Sequence, residues 1–236
     1  DASYKFATKH KLRVVEDAAH AFGTTYKDKR IGSFGDMVCF SFDGIKNITS
    51  GEGGCLITDD KKVLNEVKNA RLLGVEKDTE KRYLGQRSWN FDAKAQGWRY
   101  HMSNIMAAIG IEQLKRFPEF AEKRQNLAKQ YDLLFSDNDY IKCISRDYDT
   151  VVPHIYVIKI AGMNNRNEII QILLDKGIEV GCHYQPNHWL DYFKSNYDLP
   201  VTESIYPKIL TLPLHPDLTE EEVKYIVYEL INTLNL

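Results

Sequence analysis

Met37-Val38-Cys39-Phe40-Ser41-Phe42-Asp43-Gly44-Ile45-Lys46-Asn47-Ile48-Thr49-Ser50-Gly51-Glu52-Gly53-Gly54-Cys55-Leu56-Ile57-Thr58 is the stretch that decides the fold. Residues 37–42 are apolar except for Ser41 and read as a buried strand, and residues 55–58 read as another. The polar turn between them carries one lysine, Lys46, and returns through Gly51-Glu52-Gly53-Gly54. A lysine just beyond a buried strand stands where its amine can lose water and become a nucleophile. The plainer reading of a lone loop lysine is a solvated charge.

Working outward, residues 2–10 are helix-like. Leu12-Arg13-Val14-Val15 reads as a buried strand ending on Glu16-Asp17, and residues 18–22 form a short helix or turn. Residues 61–73 place Val63, Leu64, Val67 and Ala70 on one side of an amphipathic helix. Residues 77–96 are polar and aromatic without a period, which predicts a long functional loop. Residues 103–117 give the strongest helix, with Ser103 as N-cap and Ile105, Ala108, Ile109, Ile111 and Leu114 as its apolar face. Pro118 permits a kink or a new start, and helix resumes to about residue 135. Beyond it come a strand (151–160), a helix closed by Gly177 (165–176), a strand (178–184) and a last amphipathic helix (218–234) opened by Thr219-Glu220-Glu221-Glu222. This alternation predicts a smaller α/β domain over 136–236, following a larger one over 1–135.

Hydrophobic residues make up 43% and charged residues 27%, the proportions of a soluble globular protein. A net charge of −2 gives no reason to expect nucleic acid or an anionic membrane as partner. No apolar run has the ~20 residues of a membrane-spanning helix. Cys39, Cys55, Cys143 and Cys182 are scattered without a CxxC pair, as expected of reduced thiols in the cytoplasm. Asn47-Ile48-Thr49 matches the glycosylation pattern by chance. There is no P-loop, GxGxxG, HExxH or Cys/His metal spacing, so no metal site is expected.

Asp17, Ser41 and Lys46 all stand at or just past the C-terminal ends of predicted strands, where open α/β sheets bind ligands. Each has an ordinary reading: a helix cap or solvated acid, a serine bonded to backbone, a solvated lysine. Their order along the chain carries more, because Val14-Val15-Glu16-Asp17-Ala18-Ala19-His20-Ala21-Phe22-Gly23 resembles a VxEDAAxAxG segment. That segment, the run Gly32-Ser33-Phe34-Gly35-Asp36 into Phe40-Ser41-Phe42, and the GEGG turn after Lys46 together resemble the DegT/DnrJ/EryC1/StrS family of pyridoxal-phosphate (PLP) sugar aminotransferases. Residues 97–114, Gly97-Trp98-Arg99-Tyr100-His101-Met102-Ser103-Asn104 onward, are similar to the family's GYNYRMSNIxAAIGxxQL, with Arg99 and His101 where Asn and Arg are common. Residues 177–188 resemble GIxxxxHYxPxH, and residues 210–219 resemble LxLPLHPxLT.

The resemblance covers nearly the whole chain. It implies an aspartate-aminotransferase-like (type I) α/β fold, with a mixed-sheet large domain and a smaller C-terminal α/β domain. Lys46 falls on the Schiff-base lysine, Asp17 on the partner of the pyridine nitrogen, His20 on the residue against the cofactor ring, and Ser41 on a phosphate ligand. Arg99 falls on a loop that reaches the partner's cofactor phosphate across a homodimer. His183 and Tyr184 become candidates for the substrate side, whereas His188 and His215 fit a structural role as well. The implied activity is PLP-dependent amino transfer, with glutamate as usual donor, to a keto-sugar nucleotide, for amino-deoxysugars of surface polysaccharide or secondary metabolites. Tyr83, Trp89, Phe91 and Trp98 fit either a sugar site or packing at a dimer interface, with packing favoured. A sugar dehydratase of the same superfamily would have histidine at the position of Lys46. A regulatory PLP-fold protein is a further alternative. The family's phosphate-binding Gly/Ser/Thr turn has no counterpart before Leu12, so an N-terminal part is expected to be missing. A truncated, non-catalytic dimerisation or binding module is the rival reading.

Overall fold

Strand β4 (Met37–Ser41) is the centre of the first sheet, because its alternate residues Val38 and Phe40 are buried while their neighbours are half-buried. The computed structural model describes residues 1–75, 85, 92, 93, 95–163 and 165–235. The chain divides into two compact units, Asp1–Phe117 and Pro118–Leu236.

In the first unit, helix α1 (Ala2–Lys9) leads to strand β1 (Val15–Asp17) and a small hairpin, β2 (Thr25–Tyr26) with β3 (Lys29–Arg30). Strand β4 then lies between β1 and β5 (Gly54–Thr58). β1 runs parallel to β4, with Asp17 opposite Cys39, and β5 runs antiparallel, with Gly54 opposite Ser41. This is the mixed sheet expected. Ala18, Val38 and Phe40 form its small core, with Phe22 edge-on to Phe40 (5.4 Å) and to Phe117 (4.9 Å). Helix α2 (Lys61–Ala70) starts at Asp60, whose Oδ1 accepts from the amides of Lys62 and Val63. Arg13 reaches both Asp36 and Asp60, fixing the entry to β1 against the entry to α2.

Helix α3 (Asn104–Leu134) begins with the Ser103 hydroxyl accepting from the Met106 amide, and it continues through Pro118 without ending. Met106, Gly110, Gln113 and Phe117 are its less exposed face in the first unit. The second half carries buried Leu127, Ala128, Tyr131 and Phe135 into the core of the second unit. The division at Phe117/Pro118 therefore precedes the boundary expected at 135/136.

The second unit holds an antiparallel sheet of β6 (Ile141–Cys143), β7 (Tyr156–Ile160) and β8 (Ile209–Leu212), in the order β6-β7-β8. Helices α4 (Arg166–Asp175), α5 (Pro200–Ile205) and α6 (Glu220–Leu234) accompany it. A capping box between Thr219 and Glu222 opens α6, and Gly177 in the left-handed region closes α4.

Several expectations are corrected. Strand β1 starts only at Val15, and Leu12 and Val15 are exposed rather than buried. Strand β5 is likewise mostly exposed. The apolar residues Ile105, Ile109, Ile111 and Leu114 of α3 face outward, since the helix turns its other side to the sheet. Residues 178–184 form no strand beyond a bridge between Gly181 and Thr211. Tyr83, Trp89 and Phe91, with most of the expected 77–96 loop, lie outside the described residues. Among the described residues no helix is long and apolar enough to cross a membrane.

Candidate active site

The parallel pairing of β1 with β4 brings their C-terminal ends, Asp17 and Ser41, to one edge of the sheet. The Ala18 amide extends that ladder to the Cys39 carbonyl (2.8 Å), after which the chain turns. The Asp17 carboxylate accepts from the Ala19 amide (3.0 Å) and so shapes the turn that presents His20. The adjacent acid is used differently. Glu16 accepts from the Tyr4 hydroxyl, and burial beside that carboxylate pushes the phenol up to about 12. Side chains alternate across a strand, so Glu16 and Asp17 leave on opposite faces.

The turn after β4 is held by its own bonds. Asp43 accepts from the amides of Ile45 (3.1 Å) and Lys46 (3.1 Å), Thr49 Oγ1 from Gly51 (2.8 Å), and Ser50 donates to the Glu52 carbonyl (2.7 Å). The GEGG return needs its glycines. Gly53 sits at φ +133°, and a Cβ on Gly54 would stand 2.4 Å from the Phe40 carbonyl oxygen. Asn47, buried, donates to the Phe22 carbonyl (3.3 Å), stitching this turn to the one after β1. As a result Lys46 Nζ lies 3.0 Å from His20 Nε2. An ammonium donates across that contact to a neutral imidazole, and a neutral amine accepts from a protonated one. Lys46 is half-buried and His20 exposed.

Ser41 Oγ accepts from the Asp43 amide (3.3 Å) at the same sheet edge. Asp17 and Ser41 make no hydrogen bond to Lys46 among the described residues. Arg99 is exposed in a segment tied by backbone bonds to the end of α2, opposite Leu72. Trp98 and Tyr100 stack on one side of that segment, centroids 6.0 Å apart, and alternation sends Arg99 to the other. No described contact brings Arg99 to the Lys46 cluster.

In the second unit His183 Nδ1 lies 2.8 Å from Thr211 Oγ1, and the exposed Tyr184 ring meets the His183 ring edge-on at 4.6 Å. His188 pairs with Glu203 (2.8 Å), which holds that carboxyl below its usual range and gives His188 a structural task. His215 is exposed beside Glu222. Sequence reasoning missed Asn47, Thr211 and Arg124. Thr211 lay inside a motif quoted for other residues, and nothing in the sequence marked Arg124.

The model of the DegT/DnrJ/EryC1/StrS aminotransferase family matches residues 1–231. The chain belongs to that family. It is 34% identical to the Bacillus subtilis spore coat polysaccharide biosynthesis protein SpsC, over 96% of this chain and 61% of that protein. It is 30% identical to a Campylobacter jejuni UDP-4-amino-4,6-dideoxy-N-acetyl-beta-L-altrosamine transaminase, over 99% of this chain and 62% of the relative. Among solved structures, Streptococcus pneumoniae Spr1654 in its PLP form superposes with a TM-score of 0.83 at 31% identity, over 95% of this chain and 58% of Spr1654. The type I aminotransferase fold is thus shared, and the chain spans about three-fifths of the length of the family members it matches.

Proposed function

We propose that the protein to which this chain belongs is a PLP-dependent aminotransferase that transfers an amino group, with glutamate as donor, to a keto-sugar nucleotide. The observation that carries this reading is the 3.0 Å contact between Lys46 Nζ and His20 Nε2, beside the sheet edge where Asp17 and Ser41 end two parallel strands. The donor set fits PLP: a primary amine for its aldehyde, a carboxylate for a ring nitrogen, a hydroxyl for its phosphate, and backbone kept close by Gly53 and Gly54. Membership of the family and the PLP form of Spr1654 support the cofactor.

When bound, PLP supplies the electron sink that lets a proton leave the carbon bearing nitrogen. Lys46 would hold the cofactor through Nζ, and its amine would serve as the base that moves a proton at the substrate carbon. His20 Nε2 orients that amine and shares its proton. Asp17 would hold a proton on the ring nitrogen. Ser41 Oγ would bind a phosphate oxygen, and Arg99 would supply a cation to the phosphate of a second subunit in a homodimer with shared sites. His183 and Tyr184 meet the sugar nucleotide. The names of the C. jejuni and B. subtilis relatives support a nucleotide-linked sugar and a surface polysaccharide; the proposed route is cytoplasmic, with a secondary metabolite as the other product class.

The test is the visible absorption of the purified protein titrated with PLP, beside Lys46→Ala. A pH-dependent band in the wild type, absent from the variant and bleached by L-glutamate, is the expected result. An equal band in both proteins would refute the assignment of Lys46. A monomer by sedimentation with full activity would refute the shared role of Arg99.

A further inference from the structure

Thr211 is bound on three sides. In β8 it pairs with Val157 of β7, and on its other edge it exchanges both backbone bonds with Gly181 (3.0 and 2.7 Å). The residue is only 6% exposed. Its third bond is the one from Oγ1 to His183 Nδ1, 2.8 Å. Gly181 lies beside the same ring, since a Cβ built there would stand 3.5 Å from His183 Cε1. Thr211 therefore grips the 181–183 segment by main chain and side chain at once.

A buried hydroxyl must place its proton on an acceptor. Among the described residues the only hydrogen-bond partner of Thr211 Oγ1 is His183 Nδ1. Were the imidazole to donate from Nδ1, the hydroxyl proton would be left without an acceptor in a nearly dry strand. The hydroxyl thus donates and Nδ1 accepts, which leaves the neutral ring with its proton on Nε2. We infer that Thr211 is a positioning residue that fixes His183 in the Nε2–H form. The imidazole then serves as a neutral hydrogen-bond donor to a substrate oxygen, whether hydroxyl, carbonyl or phosphate. The second part rests on the reading of His183 as a substrate-side residue. Neither part requires the lysine site to work.

The experiment is long-range proton–nitrogen NMR on the whole chain labelled at histidine, with the His183 signals assigned by their loss in His183→Gln. Above the pH at which His183 titrates, the wild type shows one neutral form, protonated on Nε2. Thr211→Ser keeps that pattern. Thr211→Val, which keeps the strand shape and loses the hydroxyl, shows mixed tautomers or a shift to Nδ1–H. A wild type protonated on Nδ1, or a valine variant with the wild-type pattern, overturns the inference. If valine disturbs every histidine signal, the wild-type tautomer alone decides. The PLP titration run on the same samples separates the two readings. An absent Lys46-dependent band with an intact Nε2–H pattern refutes the proposed activity and leaves the role of Thr211 standing.

Discussion

The two units differ in how large a core they bury. In the second, Tyr131, Tyr156, Ile158, Leu173, Leu210 and Leu230 are buried in one continuous core built by the end of α3, the β6-β7-β8 sheet, α4 and α6. In the first, the buried core is Ala18, Val38 and Phe40, while Val15, Ile57, Leu64, Val67, Ile105 and Ile111 are exposed. Yet the first unit carries Lys46, His20, Asp17 and Ser41. The second unit is held by one large buried core, and the turns of the first are held by their own hydrogen bonds.

The largest test of that contrast is Leu230→Ala, at a fully buried site of α6. It should cost about 2–5 kcal/mol of stability, read as a lowered denaturation midpoint. Arg124→Met comes next. Arg124 is buried and donates to the carbonyls of Pro153, His154 and Leu214, and burial lowers its guanidinium to about 10, so it stays charged at neutral pH. Methionine fills the volume but strands those carbonyls, at about 1–3 kcal/mol by chemical denaturation. Leu64→Ala, on α2 of the first unit, should change stability by no more than about 0.5 kcal/mol by the same assay. An equal loss for Leu64 and Leu230 would break the comparison. The smallest effect is electrostatic. Arg13 holds the Asp36 carboxyl below its ordinary 3.8. A depressed folded value stabilises above 3.8 and is lost as pH falls through the folded value. Stability curves of wild type and Arg13→Gln should therefore separate slightly above pH 4 and converge in acid, with the gap narrowed by salt.

Legibility in the sequence followed the same division. Strand β4 was readable as an apolar run from Met37, and α6 as an amphipathic stretch opened by Thr219-Glu220-Glu221-Glu222. Strand β6 has three residues and no alternation to detect, and β8 was read as part of a motif rather than as a strand. The outward face of α3 was mistaken for core because periodicity reports which residues are apolar, not whether anything covers them. For the candidate site, the sequence offered the residues but not their contacts. Lys46 and His20 are 26 positions apart, and the parallel register and the Asn47 bond to Phe22 help to bring them together. Nor does any local pattern announce that Thr211 will meet His183.

The self-bonded turn from Asp43 to Gly54 has a consequence for affinity. Its backbone torsions are settled by Asp43, Thr49 and Ser50 during folding, before anything arrives at the sheet edge. If Lys46 captures a ligand as proposed, that ligand would have to quieten one side chain rather than a loop. That is an entropic charge of about 2 kcal/mol for a fully mobile lysine, and less where His20 already restrains the amine.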